Sequence, residues 1–152
     1  MQDIVFSDAQ ALSTLNSTGV VCSNPFDMEL TKSEGATIIT NDQVDAFMNV
    51  LICAAPASQA ATQGMDVELR ESDNVDMTTG AAILASLHIK LADIAAGKRF
   101  SIRVVAPMTM CFLGAWIKAT NTGLTTGVTV DIWMSDTPVS ENEDIQKIPA
   151  AR

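Results

Sequence analysis

Across the second half of this chain, apolar residues recur at every second position in short runs separated by turn residues. Met65, Val67 and Leu69 alternate with Asp66, Glu68 and Arg70, and Phe100, Ile102 and Val104 alternate with Ser101 and Arg103. Val128, Val130 and Ile132 alternate in the same way with Thr129, Asp131 and Trp133. A period of two sends one set of side chains to a core and the other to water, which is the signature of a half-buried strand. An amphipathic helix repeats every three to four residues instead, and no long stretch here does so. The expected fold class is therefore all-β, an antiparallel sandwich or barrel of jelly-roll type.

The remaining segments fill in this frame. Phe47, Val50, Leu51, Ile52 and Cys53 form a continuous apolar run, interrupted by Asn49 and closed by Pro56, which reads as a buried strand followed by a loop over residues 58–64. Ser72-Asp73-Asn74 is turn chemistry, and 80–89 is read as a strand despite its alanines. Leu91, Ile94 and Ala95 before Gly97 suggest one helical turn ending on a left-handed glycine. Cys111, Leu113, Ala115 and Ile117 alternate against Phe112, Gly114, Trp116 and Lys118 with both faces fairly apolar, as expected of a central strand. The loop Asn121 to Gly127 then predicts an antiparallel hairpin between residues 111–119 and 128–134. Residues 1–45, rich in Ser, Thr, Asn and Asp with isolated apolar pairs, are expected to form an extended N-terminal arm with short edge strands, leaving 46–152 as the β-sandwich domain. Beyond Asp136, an acidic loop over 141–144 and a short strand in the tail 145–152 are expected.

Composition narrows the partners. The chain has 152 residues, 9 Lys+Arg against 18 Asp+Glu and a formal net charge of −9. Phosphate backbones and anionic bilayers repel such a surface, so neither nucleic acid nor membrane is expected as a partner. The N-terminus has no basic region followed by an apolar one, so no secretory leader is read there and a cytosolic site of synthesis is expected. The longest apolar run is shorter than the roughly 20 residues a membrane helix needs. Hydrophobic residues make up 47% of the chain, enough for a sizeable core without staples.

Chemistry-bearing motifs are sparse. Cys22, Cys53 and Cys111 are an odd number with no C-x-x-C pair, which suits neither a disulfide framework nor a thiolate metal site, and they read as small core residues. His88 is the only histidine. It could serve as a base or a ligand, but its apolar neighbours Ile83, Leu84, Leu87 and Ile89 favour a partly buried residue at a strand edge. There is no G-x-S-x-G, H-E-x-x-H, P-loop or G-x-G-x-x-G. No enzyme, cofactor or metal is expected.

Two aromatic residues and an apolar handful in the arm are the candidate contact residues. Trp116 and Trp133, placed on the two strands of the expected hairpin, would lie close together, either as a platform for a sugar or packed in a core or oligomer contact. In the arm, Val5, Phe6, Phe26 and Met28 either fold back on their own domain or anchor the chain to a partner, with Asp8 and Gln10 among the polar residues of that segment.

Four stretches, Phe6-Ser7-Asp8-Ala9-Gln10-Ala11-Leu12, Val67-Glu68-Leu69-Arg70-Glu71-Ser72-Asp73, residues 83–100 (ILASLHIKLADIAAGKRF) and Leu113-Gly114-Ala115, resemble a family of bacteriophage capsid cement, or head decoration, proteins, and in the same order. The resemblance implies a jelly-roll-like domain that forms a homotrimer on the outside of an icosahedral head and clamps neighbouring major capsid protein subunits. It also implies synthesis in the bacterial cytoplasm and a final place on the virion's outer capsid surface. A protein of that kind needs no catalytic site, because binding only the expanded lattice lowers that state's free energy by mass action. A carbohydrate-binding jelly roll on the virion surface is the alternative that the tryptophans suggest.

Overall fold

The structure is a computed structural model that describes residues 4–15, 18–28, 46–55, 64–104, 108–120 and 124–139. Two antiparallel sheets pack together into an all-β sandwich. In chain order the strands are β1 (Ile4–Leu15), β2 (Val20–Val21), β3 (Phe26–Asp27), β4 (Ala46–Ala54), β5 (Gly64–Ser72), β6 (Ala82–Lys90), β7 (Arg99–Val104), β8 (Phe112–Thr120) and β9 (Leu124–Ser135). A single 3-10 turn, Leu91–Asp93, joins β6 to β7, and Gly97 follows it at a φ of +84°.

Sheet A has the order β1-β9-β4-β7, and sheet B has the order β2-β8-β5-β6 with β3 also paired to β8. The pairing is nested: β1 with β9, β2 and β3 with β8, β4 with β7, and β5 with β6. Successive nested pairs alternate between the two sheets, so the chain behaves as one long antiparallel ribbon folded across the sandwich. The contacts β9 with β4 and β8 with β5 then seal each sheet.

The period-two residues meet in the middle as expected. Met48, Val50 and Ile52 of β4, Val130, Ile132 and Met134 of β9, Met65, Val67 and Leu69 of β5, and Ala115 and Ile117 of β8 are all fully buried in one cluster. Burying each of the Val, Leu, Ile and Met side chains contributes roughly 1.5–3 kcal/mol, so this shared layer is what holds the sheets together.

One expectation about connectivity is corrected. Residues 111–119 and 128–134 do not form a hairpin: β8 pairs with β2, β3 and β5 in sheet B, whereas β9 pairs with β1 and β4 in sheet A. A glycine-bearing loop fits a crossing between sheets as well as a tight turn, and both edges of each strand are taken by other partners. Residues 4–28 take the first of the two alternatives left open for them: they supply β1, β2 and β3 to the sandwich and bury Phe6, Leu12, Cys22 and Met28 in its core. Apolar side chains in that segment gain more from their own domain's interior than from solvent. The strands are at sheet edges, as expected, but they belong to the same packed body as the rest. Residues 29–45, 56–63, 121–123 and 140–152 lie outside the described residues, and with them the expected 141–144 loop and tail strand.

Candidate interaction surfaces

Each sheet has an outward face, and on both of them side chains expected to stand in water are covered. On sheet B, Asp66, Glu68 and Arg70 alternate with the core residues of β5, yet Glu68 is only 3% exposed. The Glu68 carboxylate receives hydrogen bonds from Arg70 Nε at 2.8 Å and Nη2 at 2.6 Å, and Lys118 Nζ of β8 lies 2.6 Å from its other oxygen. Burial alone would push the Glu68 pKa up, but the bonds from Lys118 and Arg70 outweigh it and hold the carboxyl below its usual range. The Arg70 guanidinium stacks over the Trp116 ring at 4.7 Å and donates from Nη1 to the Met77 carbonyl.

The loop between β5 and β6 closes over this cluster from one side. Met77, at a φ of +57°, is fully buried, and a Cβ on Gly114 would stand 3.0 Å from its Cε, so the loop packs closely onto the central strand there. Gly19 guards the other side: a Cβ at that position would fall 2.2 Å from Trp116 Nε1. Trp116 is thus 7% exposed, with a cation on its face and backbone at its edge. Farther along the same face His88 Nδ1 lies 2.7 Å from Asp66 Oδ1, and Thr120 donates to Oδ2 at 3.4 Å. His88 is exposed on the edge strand β6, where the pair ties that strand to β5.

The outward face of sheet A carries Val5, Phe47, Leu51 and Trp133. Val5 and Asn49 are the cross-strand partners of Trp133, and Val5 is 51% exposed while Trp133 is half-buried. Asn49, between the inward Met48 and Val50, is completely buried although it points outward. Its Nδ2 donates to Ser135 Oγ at 2.8 Å and to the Thr137 carbonyl at 3.3 Å, and its Oδ1 accepts from the Val139 N–H at 3.0 Å and from the Ser101 hydroxyl of β7. The chain leaving β9 therefore turns back across the sheet and covers it.

A second polar clasp joins the two sheet edges formed by residues 4–28. At a bulge in β1, Ala9 adopts a φ of +46° and donates its N–H to the Asp131 carboxylate. The kink aims Gln10 at the β2–β3 connection, where Nε2 donates to the Val21 carbonyl at 3.0 Å and Oε1 accepts from Ser23 N–H at 2.9 Å.

The sequence-derived contact residues consequently scatter. Phe6 and Met28 are core, Phe26 is half-buried against it, Gln10 is an internal clasp, and Val5 and Asp8 are exposed. Trp116 and Trp133 lie on the outward faces of opposite sheets, so they do not form one aromatic platform; the expectation of a shared site followed from the hairpin that does not exist. No disulfide joins the three cysteines; Cys22 is buried, where desolvation raises its thiol pKa, whereas Cys53 and Cys111 are half-buried instead of in the core. Among the described residues no group of three His, Cys, Asp or Glu side chains is placed to hold a metal ion.

Sequence reasoning passes over Asn49 and Glu68. Asn49 carries a signal, a lone amide inside an apolar run; Glu68 sits where a polar residue is ordinary. No family model matches this sequence, and no curated protein matches it.

Proposed function

We propose that this chain is a bacteriophage capsid decoration protein, a non-enzymatic homotrimer that binds the outer surface of an icosahedral head and stabilises the expanded major capsid protein lattice. The observation that carries the reading is the ordered resemblance of four segments. They map onto β1, the end of β5, the run from β6 to β7, and β8. Phe6, Leu12, Val67, Leu69, Ile89, Leu113 and Ala115 within them are buried, so each segment contributes to the interior. The nested ribbon of strands alternating between two sheets supports the jelly-roll part of the reading, since folding such a ribbon across a sandwich produces that topology.

The shell contact is assigned to surface residues. With Phe6 and Met28 buried, Val5 and Asp8 on β1 remain the members of that segment available to a partner. A surface with a net charge of −9 meets a shell patch that is basic in places, so salt is expected to alter the association rate more than the final occupancy.

The test is retention. Purified protein mixed with expanded heads that lack a decoration protein should co-sediment with them, should not co-sediment with unexpanded heads, and should have the mass of three chains by light scattering. Absence from the expanded-head pellet overturns the proposal.

A further inference from the structure

Val5, Val75 and Ile83 are the large apolar side chains left exposed among the described residues, and the last two belong to one end of sheet B. Val75, 55% exposed, lies in the loop between β5 and β6, and Ile83, 54% exposed, stands near the start of β6 as the cross-strand partner of Arg70. Arg70 links the two, because it also holds the carbonyl of Met77, two residues beyond Val75. Within 73–80 every residue except Met77 is exposed.

The loop is nevertheless held in one shape. The Met77 N–H donates to the Asn74 carbonyl at 3.2 Å, which makes a turn with Val75 and Asp76 at its centre. Ser72 Oγ accepts from the Asn74 N–H at 3.0 Å and donates to the Thr79 carbonyl at 3.1 Å, so the two ends of the loop are closed on each other. The Thr78 N–H donates to Asp76 Oδ1 at 2.9 Å and holds that carboxyl below its usual range, so it is charged at neutral pH. Met77 keeps a left-handed φ of +57°, which a residue with a side chain adopts only where its surroundings enforce it. Here they do, since the Met77 side chain is fully buried. What this constraint presents to water is a valine at a turn centre, where small polar residues are the usual choice and an apolar side chain gains little from its own chain.

Charge accompanies the apolar tip. No Lys or Arg occurs between Arg70 and Lys90, while Asp73 and Asp76 flank Val75 and are both exposed. We propose that this loop, together with Ile83, is a docking knob that inserts Val75 into an apolar hollow rimmed by Lys or Arg side chains on the capsid shell. A loop already fixed in shape loses little entropy on docking, and two carboxylates beside the tip select a basic rim over an acidic one. The inference rests on the shell-binding part of the proposed function and locates a contact separate from Val5 and Asp8, which lie on β1 of the other sheet.

Titration of expanded heads that lack a decoration protein with the full-length chain tests it. Val75→Ser alters an exposed side chain, so it should leave the thermal midpoint unchanged and raise the concentration that half-fills the heads about tenfold. Asp73→Asn/Asp76→Asn keeps an oxygen acceptor at both positions and should slow association about threefold at low salt, with the difference vanishing at high salt. In the unaltered protein, amide exchange over residues 74–79 should slow about tenfold on the heads relative to the free chain. Heads that bind the parent and Val75→Ser equally well, or that leave those amides exchanging as before, overturn the knob and leave the decoration reading standing. Unchanged association of the aspartate variant overturns the basic rim. A parent that never binds expanded heads overturns the decoration reading, and the knob with it.

Discussion

The two outward faces of the sandwich solve one problem by different chemistry. Sheet B covers its central strands with charge: Glu68 between Lys118 and Arg70, and Arg70 on Trp116. Sheet A covers its centre with a neutral amide, Asn49, holding the segment that follows β9. A buried charge without its partner is far costlier than an amide without one, and a carboxylate titrates whereas an amide does not. The comparison therefore predicts that the contact covering sheet B responds to pH and that the Asn49 contact covering sheet A does not.

The widest gap should come from the tryptophans. Trp116→Ala removes a nearly buried ring from beneath Arg70 and should cost about 4 kcal/mol in urea denaturation. Trp133→Ala, on the half-buried face, should cost about half as much. Equal losses would break the comparison. Next come the two latches themselves. Glu68→Ala strands two cations and should cost about 3 kcal/mol, while Asn49→Ala should cost about 2 kcal/mol and raise protease cleavage between Ser135 and Val139 without loosening β5.

Acid should separate the faces again. The folded Glu68 pKa lies below its ordinary value of 4.5, so its contribution is complete above that value in the unfolded chain and is lost as pH falls below it through the folded one. Stability measured from neutrality downward should fall less steeply in Glu68→Gln than in the parent over that window. The Asn49→Ala curve should run parallel to the parent. The smallest effect belongs to the exposed pair: His88→Ala should change stability by less than about 0.5 kcal/mol at neutral pH.

How much of this was legible in the sequence depends on whether the signal was local. Alternation in β5, β7 and β9 announced both the strands and their inward residues, because a period of two is a property of the backbone. The left-handed Gly97 and the buried run of β4 were legible for the same reason. Partners were not. The loop before β9 has turn composition, but composition does not say whether the next strand returns beside β8 or crosses to the other sheet. A hairpin reading places Trp116 and Trp133 together, whereas the fold holds them on the outward faces of opposite sheets. For residues 4–28 the sequence leaves two alternatives open, because their few apolar side chains look isolated along the chain and become a cluster only when β8 and β9 supply the opposing surface.

By itself the sequence determined that this chain would be strands, which side chains in most of them would face inward, and that its surface would be strongly acidic. Those follow from backbone period, apolar spacing and residue counts, all of which act within a few neighbours. Tertiary structure alone decided the nested pairing, the burial of Phe6 and Met28, and the partners that make latches of Glu68 and Asn49. Each of those depends on atoms brought together from distant positions, as when Asn49 meets Val139. Burial and hydrogen bonding act through space, and linear order records only part of that space.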